Sequence, residues 1–204
     1  MFRTPPKRTG AAVAAALTIV VAVAGCGGSS GSSSSSSTSK PSTAPTTQSG
    51  PTVAAGINLS SPVLAQGRPV PRRYTCDGLD EAPPLRWSGV PAGTAGLALL
   101  LEDLNSRGDS GAPFVHWSLF GIPASATRVP SNATEGTNDF HEVTYGGPCP
   151  PDNDPAHRYV FTLFALRAPL DVPPGSPPSD VRAALARNAT AEGRLTVTYT
   201  RGGG

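Results

Sequence analysis

Among the three histidines of this chain, two sit at the start of apolar runs: His116 ahead of Trp117 to Ile122, and His157 ahead of Arg158 to Leu166. Six residues before His157, a Gly-Gly-Pro-Cys-Pro-Pro turn ends (Gly146 to Pro151). Imidazoles can give or take a proton near neutral pH, and a glycine-rich turn can aim successive backbone amides at an anion. Gly146, Gly147 and Cys149 have amides to offer; Pro148, Pro150 and Pro151 have none, but they set the shape of the turn. A carboxylate, Asp103, closes a third apolar run and can orient one imidazole by accepting from its second nitrogen. These groups suit a compact anion such as a phosphate monoester, which needs several donors at once. With no lysine or arginine among them, the expected affinity is modest and higher at low pH.

The elements that must position these groups read as strands. Apolar runs cover Leu85 to Trp87, Leu97 to Leu101, Val115 to Ile122, Tyr159 to Leu166 and Arg194 to Thr200, divided by Gly and Pro. β-Branched and aromatic residues such as Val160, Phe161, Thr162, Phe164, Val197 and Tyr199 suit a pleated surface. Val90 to Gly93 is a turn signal, and Pro123 ends the run before it because proline has no amide for a ladder. Only Ser179 to Asn188 has a helical pattern, with Ser179 as the expected cap and Val181, Ala184 and Leu185 along one side. Several strands with little helix between them predict a mainly β fold, a two-sheet antiparallel sandwich.

The N-terminal part carries targeting information. Arg3, Lys7 and Arg8 precede an uncharged apolar run, Ala11 to Ala24, too short for a membrane span and suited to a signal peptide over residues 1–25. Val23-Ala24-Gly25-Cys26 resembles a bacterial lipobox, with Cys26 as the lipidation site and the mature protein held on the outer face of the cell membrane. Residues 26–55 are rich in Ser, Thr, Gly and Pro, and their composition predicts a disordered tether. The folded part is then one domain, residues 56–204, large enough to bury its own core. The chain has 16 basic and 14 acidic side chains. Without Arg3, Lys7 and Arg8 the balance is 13 to 14, a formal charge of −1, so nucleic-acid binding is not expected.

Read in order, Tyr74-Thr75-Cys76-Asp77-Gly78, Pro83 to Trp87, Val90 to Thr94, Phe114-Val115-His116-Trp117, Asn138-Asp139-Phe140, Tyr145 to Pro151 and His157 to Phe161 resemble the phosphatidylethanolamine-binding protein family, in its bacterial Raf-kinase-inhibitor-like branch. The resemblance spans about Ile57 to Arg201. It implies a two-sheet antiparallel β fold with peripheral helices and a small pocket for phosphate, phosphorylethanolamine or similar anions. Carried over, the ligand-binding residues are Asp103, His116, Gly146, Gly147, Pro148, Cys149, His157 and Tyr159. The resemblance also implies a possible protein partner met through the pocket rim. One segment departs from the pattern. Asp103-Leu104-Asn105-Ser106-Arg107 stands where the family usually reads Asp-Pro-Asp-Ala-Pro, so a looser turn and a rim less hostile to anions are expected.

Three further readings bear on chemistry. Cys76 and Cys149 are the cysteines besides Cys26, and in an oxidising compartment two cysteines of one domain often pair. Two histidines and a carboxylate can also ligate iron or zinc, but the spacing is long and His-x-x-x-His and Cys-x-x-Cys are absent, so no metal or other cofactor is assigned. Binding is the primary reading. The alternatives are a weak hydrolase with His116 or His157 as general base, and a kinase- or protease-inhibitor-like protein acting through its loops. Gly-x-Ser-x-Gly is absent, which leaves the hydrolase without an identifiable nucleophile.

Overall fold

The long apolar stretch Leu97 to Leu101 is buried on both sides, and the fold is arranged around it. It lies in β4 (Gly96–Arg107), hydrogen-bonded on one side to β5 (Pro113–Ile122) and on the other to β7 (His157–Leu166). The sheet continues from β7 to β8 (Ala189–Tyr199) and β1 (Ala54–Ala55), and from β5 to β6 (Thr134–Glu135). Its pairs are antiparallel except β1 with β8, which is parallel. A second, two-stranded sheet pairs β2 (Asn58–Ser60) with β3 (Arg86–Ser88). These elements come from a computed structural model that describes residues 54–202. The signal segment, Cys26 and the tether up to residue 53 lie outside the described residues. The last two residues of the tether segment, Ala54 and Ala55, are already in the sheet as β1.

Alternation along β4 sorts its side chains into two cores. Leu97, Leu99 and Leu101 pack with Leu59, Trp87, Phe161, Leu163, Leu195 and Val197 between the two sheets. Ala98 and Leu100 pack with Val115, Phe120, Leu166, Val181 and Leu185 beneath the helix α1 (Pro178–Asn188). The helix starts differently from expectation. Its cap position is Pro177, with Pro178 as the first helical residue, and no side chain caps the free amides. The Ser179 hydroxyl instead donates to Asp180 at 3.2 Å. Proline suits this place because its missing amide would go unbonded in the first turn anyway.

Four strands are longer than their apolar patterns, β5 by Pro113 and Phe114 at its start. β8 begins at Ala189, five residues before Arg194, because Glu192, Gly193 and Arg194 hide the alternation. Gly193 is required there: a Cβ would collide with the Ile57 backbone, which crosses against β8. β7 begins at His157 rather than Tyr159. β4 continues past Asp103 to Arg107, so the segment expected to be a looser turn is strand. Asn105 takes over part of the bracing, since its Oδ1 accepts from the Arg158 amide at 2.9 Å.

A disulfide between Cys76 and Cys149 ties the loop after the short helical turn Arg72–Tyr74 to the Gly146–Pro151 turn. The link spans 73 residues of sequence, so it removes much of the freedom of the unfolded chain. Replacing both cysteines by serine is expected to cost about 4 kcal/mol, read as the loss of unfolding free energy in urea titrations of the oxidised wild type and the variant.

Candidate functional site

The row that begins with Leu97, Leu99 and Leu101 ends in a carboxylate. Asp103 continues it at one pole of the sandwich, where its Cα is in register with Phe114 on β5 and Tyr159 on β7. The side chain is only 2% exposed. Its Oδ1 accepts from the Asn105 amide at 2.8 Å, and its Oδ2 accepts from His157 Nδ1 at 2.7 Å. A buried carboxylate is costly unless it is paired and hydrogen-bonded, and here both oxygens are used.

His116 reaches the same pole through a β-bulge. Leu101 pairs with Trp117 and Glu102 with Val115, so His116 is the residue left over between them. Val115 packs under the helix and Trp117 packs between the sheets. The extra residue lets His116 turn inward beside Trp117. Its ring packs edge-on against Tyr159 at 5.2 Å and Phe140 at 5.2 Å, with Phe114 at 5.1 Å. His157 stacks on the same tyrosine at 6.4 Å. Asp103, His116, His157 and Tyr159, contributed by three adjacent strands, therefore form one cluster.

The Gly146–Pro151 turn behaves differently from an amide cradle. The Gly146 amide donates to the His116 carbonyl at 3.0 Å, and the Gly147 amide donates to Asp80 Oδ1 at 2.7 Å. Two of the three amides assigned to an anion are therefore engaged inside the protein. The turn presents carbonyls instead: His116 Nδ1 donates to Gly146 O at 2.9 Å and Gly147 O at 3.1 Å. Carbonyls only accept, so Nδ1 carries the proton and Nε2 is left as the nitrogen open to a ligand. Pro148 acts through its carbonyl, which accepts from the Cys76 amide at 3.3 Å. Cys149 holds the disulfide.

Electrostatics follow from burial. His116 is held below its ordinary value of 6.5, mainly by burial and only partly offset by the Gly146 carbonyl and the Asp103 charge. It is neutral at neutral pH, and Nε2 is then an acceptor. The Tyr159 hydroxyl is buried, and although none of its contacts among the described residues has good hydrogen-bond geometry, the Asp103 carboxylate and the Cys149 amide both lie beside it. Burial, and after it the Asp103 charge, push its pKa well above the ordinary range. The site at neutral pH is thus richer in acceptors than in donors. Protonation of His116 is what adds a donor and a positive charge.

The pole includes residues that sequence reasoning missed. Asp154, half exposed, places a carboxylate oxygen 3.6 Å from His157 Nε2; its position three residues before the histidine was the available signal. Phe114 and Phe140 wall the His116 ring, and Asp80 braces Gly147. Tyr145 is a second brace, donating its hydroxyl to Tyr74 O at 2.8 Å. Asn105 is turned toward β7 by its bond to Arg158, so it does not act on a ligand rim. His141 stays apart from the cluster and lies 3.7 Å from Asp109. Among the described residues no group of three or more His, Cys, Asp or Glu side chains is arranged to hold a metal ion.

Comparison with known proteins gives a consistent picture. Residues 60–200 match the family model described as phosphatidylethanolamine-binding protein. A UPF0098 protein of Methanothermobacter thermautotrophicus is 36% identical over 156 residues, covering 72% of this chain and 100% of that protein. LppC of Mycobacterium tuberculosis, named as a candidate lipoprotein, is 36% identical over 165 residues, covering 78% of this chain and 80% of its own. Among solved structures, E. coli YbcL aligns with a TM-score of 0.66 at 29% identity, covering 72% of this chain and 99% of that one.

Two outcomes test this geometry. A Cβ on Gly147 would meet the Tyr74 carbonyl at 2.7 Å and the Thr75 Cα at 2.8 Å, both backbone atoms that cannot give way. Gly147→Ala is therefore expected to cost about 1–3 kcal/mol in chemical denaturation and to shift the His116 ring resonances. The depressed His116 pKa also carries a sign. The unfolded chain binds this proton more readily, so the stability it contributes is complete above pH 6.5 and is lost as pH falls below that value. Melting temperatures followed downward from pH 7.5 should drop less steeply in His116→Asn than in wild type.

Proposed function

The chain belongs to the phosphatidylethanolamine-binding protein family, and on that premise we propose that it is a binding protein for a small oxyanion, held at the outer face of the cell membrane. The observation that carries this reading is the pairing pattern of the two imidazoles. Both are fixed through Nδ1, His116 by backbone carbonyls and His157 by Asp103, so both Nε2 atoms point away from these partners, that of His157 with the half-exposed Asp154 carboxylate 3.6 Å from it. The Tyr159 hydroxyl, beside the Asp103 carboxylate and the Cys149 amide, lies at the same place. A phosphate group could draw on His116 Nε2 once that ring is protonated, so the ligand and the proton are expected to bind together.

Binding fits the geometry better than catalysis. Ser106 Oγ approaches His157 at 3.5 Å, but toward Nδ1, the nitrogen already bonded to Asp103. Ser118 Oγ is buried without a partner, and Ser118 is in register with Leu100, whose side chain packs beneath the helix. Neither hydroxyl is placed for activation by a free Nε2.

The lipobox cysteine, Cys26, and the likeness to LppC support a lipid anchor. The described chain enters the sheet at Ala54, in register with Ala191, while Asp103 and Tyr159 lie at the other pole of the strands. The histidine cluster therefore lies at the pole opposite the strand by which the described chain begins. Leu79, 65% exposed beside Asp80, and Phe140, 41% exposed against Gly146, offer a protein partner an apolar rim.

Calorimetry with inorganic phosphate on the full chain tests the reading. Affinity should rise as pH falls from 7.5 toward 5.5, and His116→Ala or His157→Ala should weaken it by about tenfold or more, the scale of one charged hydrogen bond. Unchanged affinity in both variants would remove the site assignment. Turnover of chromogenic phosphate or acyl esters that disappears in His116→Ala would replace binding by hydrolysis.

A further inference from the structure

A second group of cations stands apart from the histidine cluster. Arg86 on β3 and Arg128 in the loop after β5 are Cα partners across an isolated antiparallel bridge, supported by the Trp87 amide donating to Thr127 O at 3.0 Å. Residues directly opposite in an antiparallel pair send their side chains to the same face, with Cβ atoms about 5 Å apart. Like charges in that position repel each other, and a neighbouring carboxylate is the usual relief. None is found here: among the described residues neither guanidinium forms an ion pair or a side-chain hydrogen bond, and both residues are exposed. The acids nearest in sequence are committed elsewhere, Glu81 to Arg73 and Glu135 to the Trp117 indole.

The two arginines line a cavity of about 440 Å³. Its other walls are apolar: Pro83, Pro84, Leu85, Trp117 and Val129. Leu85 and Trp117 are buried core residues, so this wall is rigid. A cavity of this size, mostly apolar with a few convergent polar groups, has the usual make-up of a small-molecule site. Guanidinium groups match phosphate and carboxylate oxygens in bidentate fashion and keep their charge at every physiological pH.

We propose that Arg86 and Arg128 form a second anion site, which takes an oxyanion carried on a flat apolar body. The oxyanion lies between the two guanidiniums and the body rests against Trp117, Leu85 and the two prolines. Two facing cations select a dianion over a monoanion, and the apolar wall selects an aryl or alkyl ester over a bare ion. Because the cations here are arginines, this site binds equally at pH 6 and pH 8, apart from the ligand's own titration. That property separates it from the histidine cluster.

The Trp117 indole N–H, bonded to Glu135 at 3.0 Å, is a local reporter. Its NMR resonance in the full chain is followed during titration with phenyl phosphate, benzoate and inorganic phosphate at pH 8, where His116 is neutral. A saturable shift is expected with phenyl phosphate, weaker by several-fold with benzoate and with inorganic phosphate. Arg86→Gln and Arg128→Gln should each weaken it by about tenfold, while His116→Ala should leave it in place. Both arginines are exposed, so unchanged melting temperatures will show that the variants fold. Equal binding of benzoate and phenyl phosphate, or a shift that survives Arg86→Gln with Arg128→Gln, overturns the proposal. So does a shift that vanishes in His116→Ala, which would assign it to the first site.

Discussion

The close approach of the Gly146–Pro151 turn to the Tyr74–Asp80 loop is the contact on which the site depends. Four bonds hold it: the Cys76–Cys149 disulfide, the Gly147 amide on Asp80, the Cys76 amide on the Pro148 carbonyl, and the Tyr145 hydroxyl on the Tyr74 carbonyl. Only glycine allows it, because a Cβ at position 147 would enter the Tyr74–Thr75 backbone. The same approach aims two carbonyls at His116 Nδ1 and so decides which imidazole nitrogen a ligand can meet. A loop contact some 70 residues apart in sequence thereby sets the protonation pattern of a strand residue.

The second constraint is the bulge at His116. Regular alternation from Trp117, which packs between the sheets, would turn His116 toward the helix. One unpaired residue gives both His116 and Trp117 an inward place. Its consequence is electrostatic as well as steric. The ring enters a wall made by Phe114, Phe140 and Tyr159, and that apolar wall is what depresses its pKa. Asp103 sits close enough to matter, yet its charge is shared with His157 and the Asn105 amide rather than spent on His116. The result is a site whose charge and donor count change with proton uptake at His116.

The segment Asp103 to Arg107 shows how a departure from a family pattern can be absorbed. A carboxylate and two prolines are missing, and the expected outcome was a loose turn. The chain instead extends β4, and Asn105 bonds the Arg158 amide on the neighbouring strand. A side-chain hydrogen bond has replaced proline stiffness, and the cost of losing the prolines is met within the sheet. The Asp103–His157 pair keeps its place as a result.

Much of this protein was legible in its residues. Strand content follows from short runs of β-branched and aromatic residues, the helix from the spacing of Val181, Ala184 and Leu185, and the family resemblance from motifs in a fixed order. His116, His157, Asp103 and Tyr159 were named from the same motifs, and the structure brings them to one pole. Local pattern reports such things because side-chain alternation and turn chemistry act over a few residues. It was silent where the deciding partner is distant in sequence. The start of β8 depends on Ile57 crossing over Gly193, and the inward turn of His116 depends on register with β4. The amides of Gly146 and Gly147 were free on paper and are occupied in the fold, because a hydrogen bond is assigned only when both partners are in place. Residue type determined which groups could do chemistry here; tertiary structure decided which of their atoms remain available to do it.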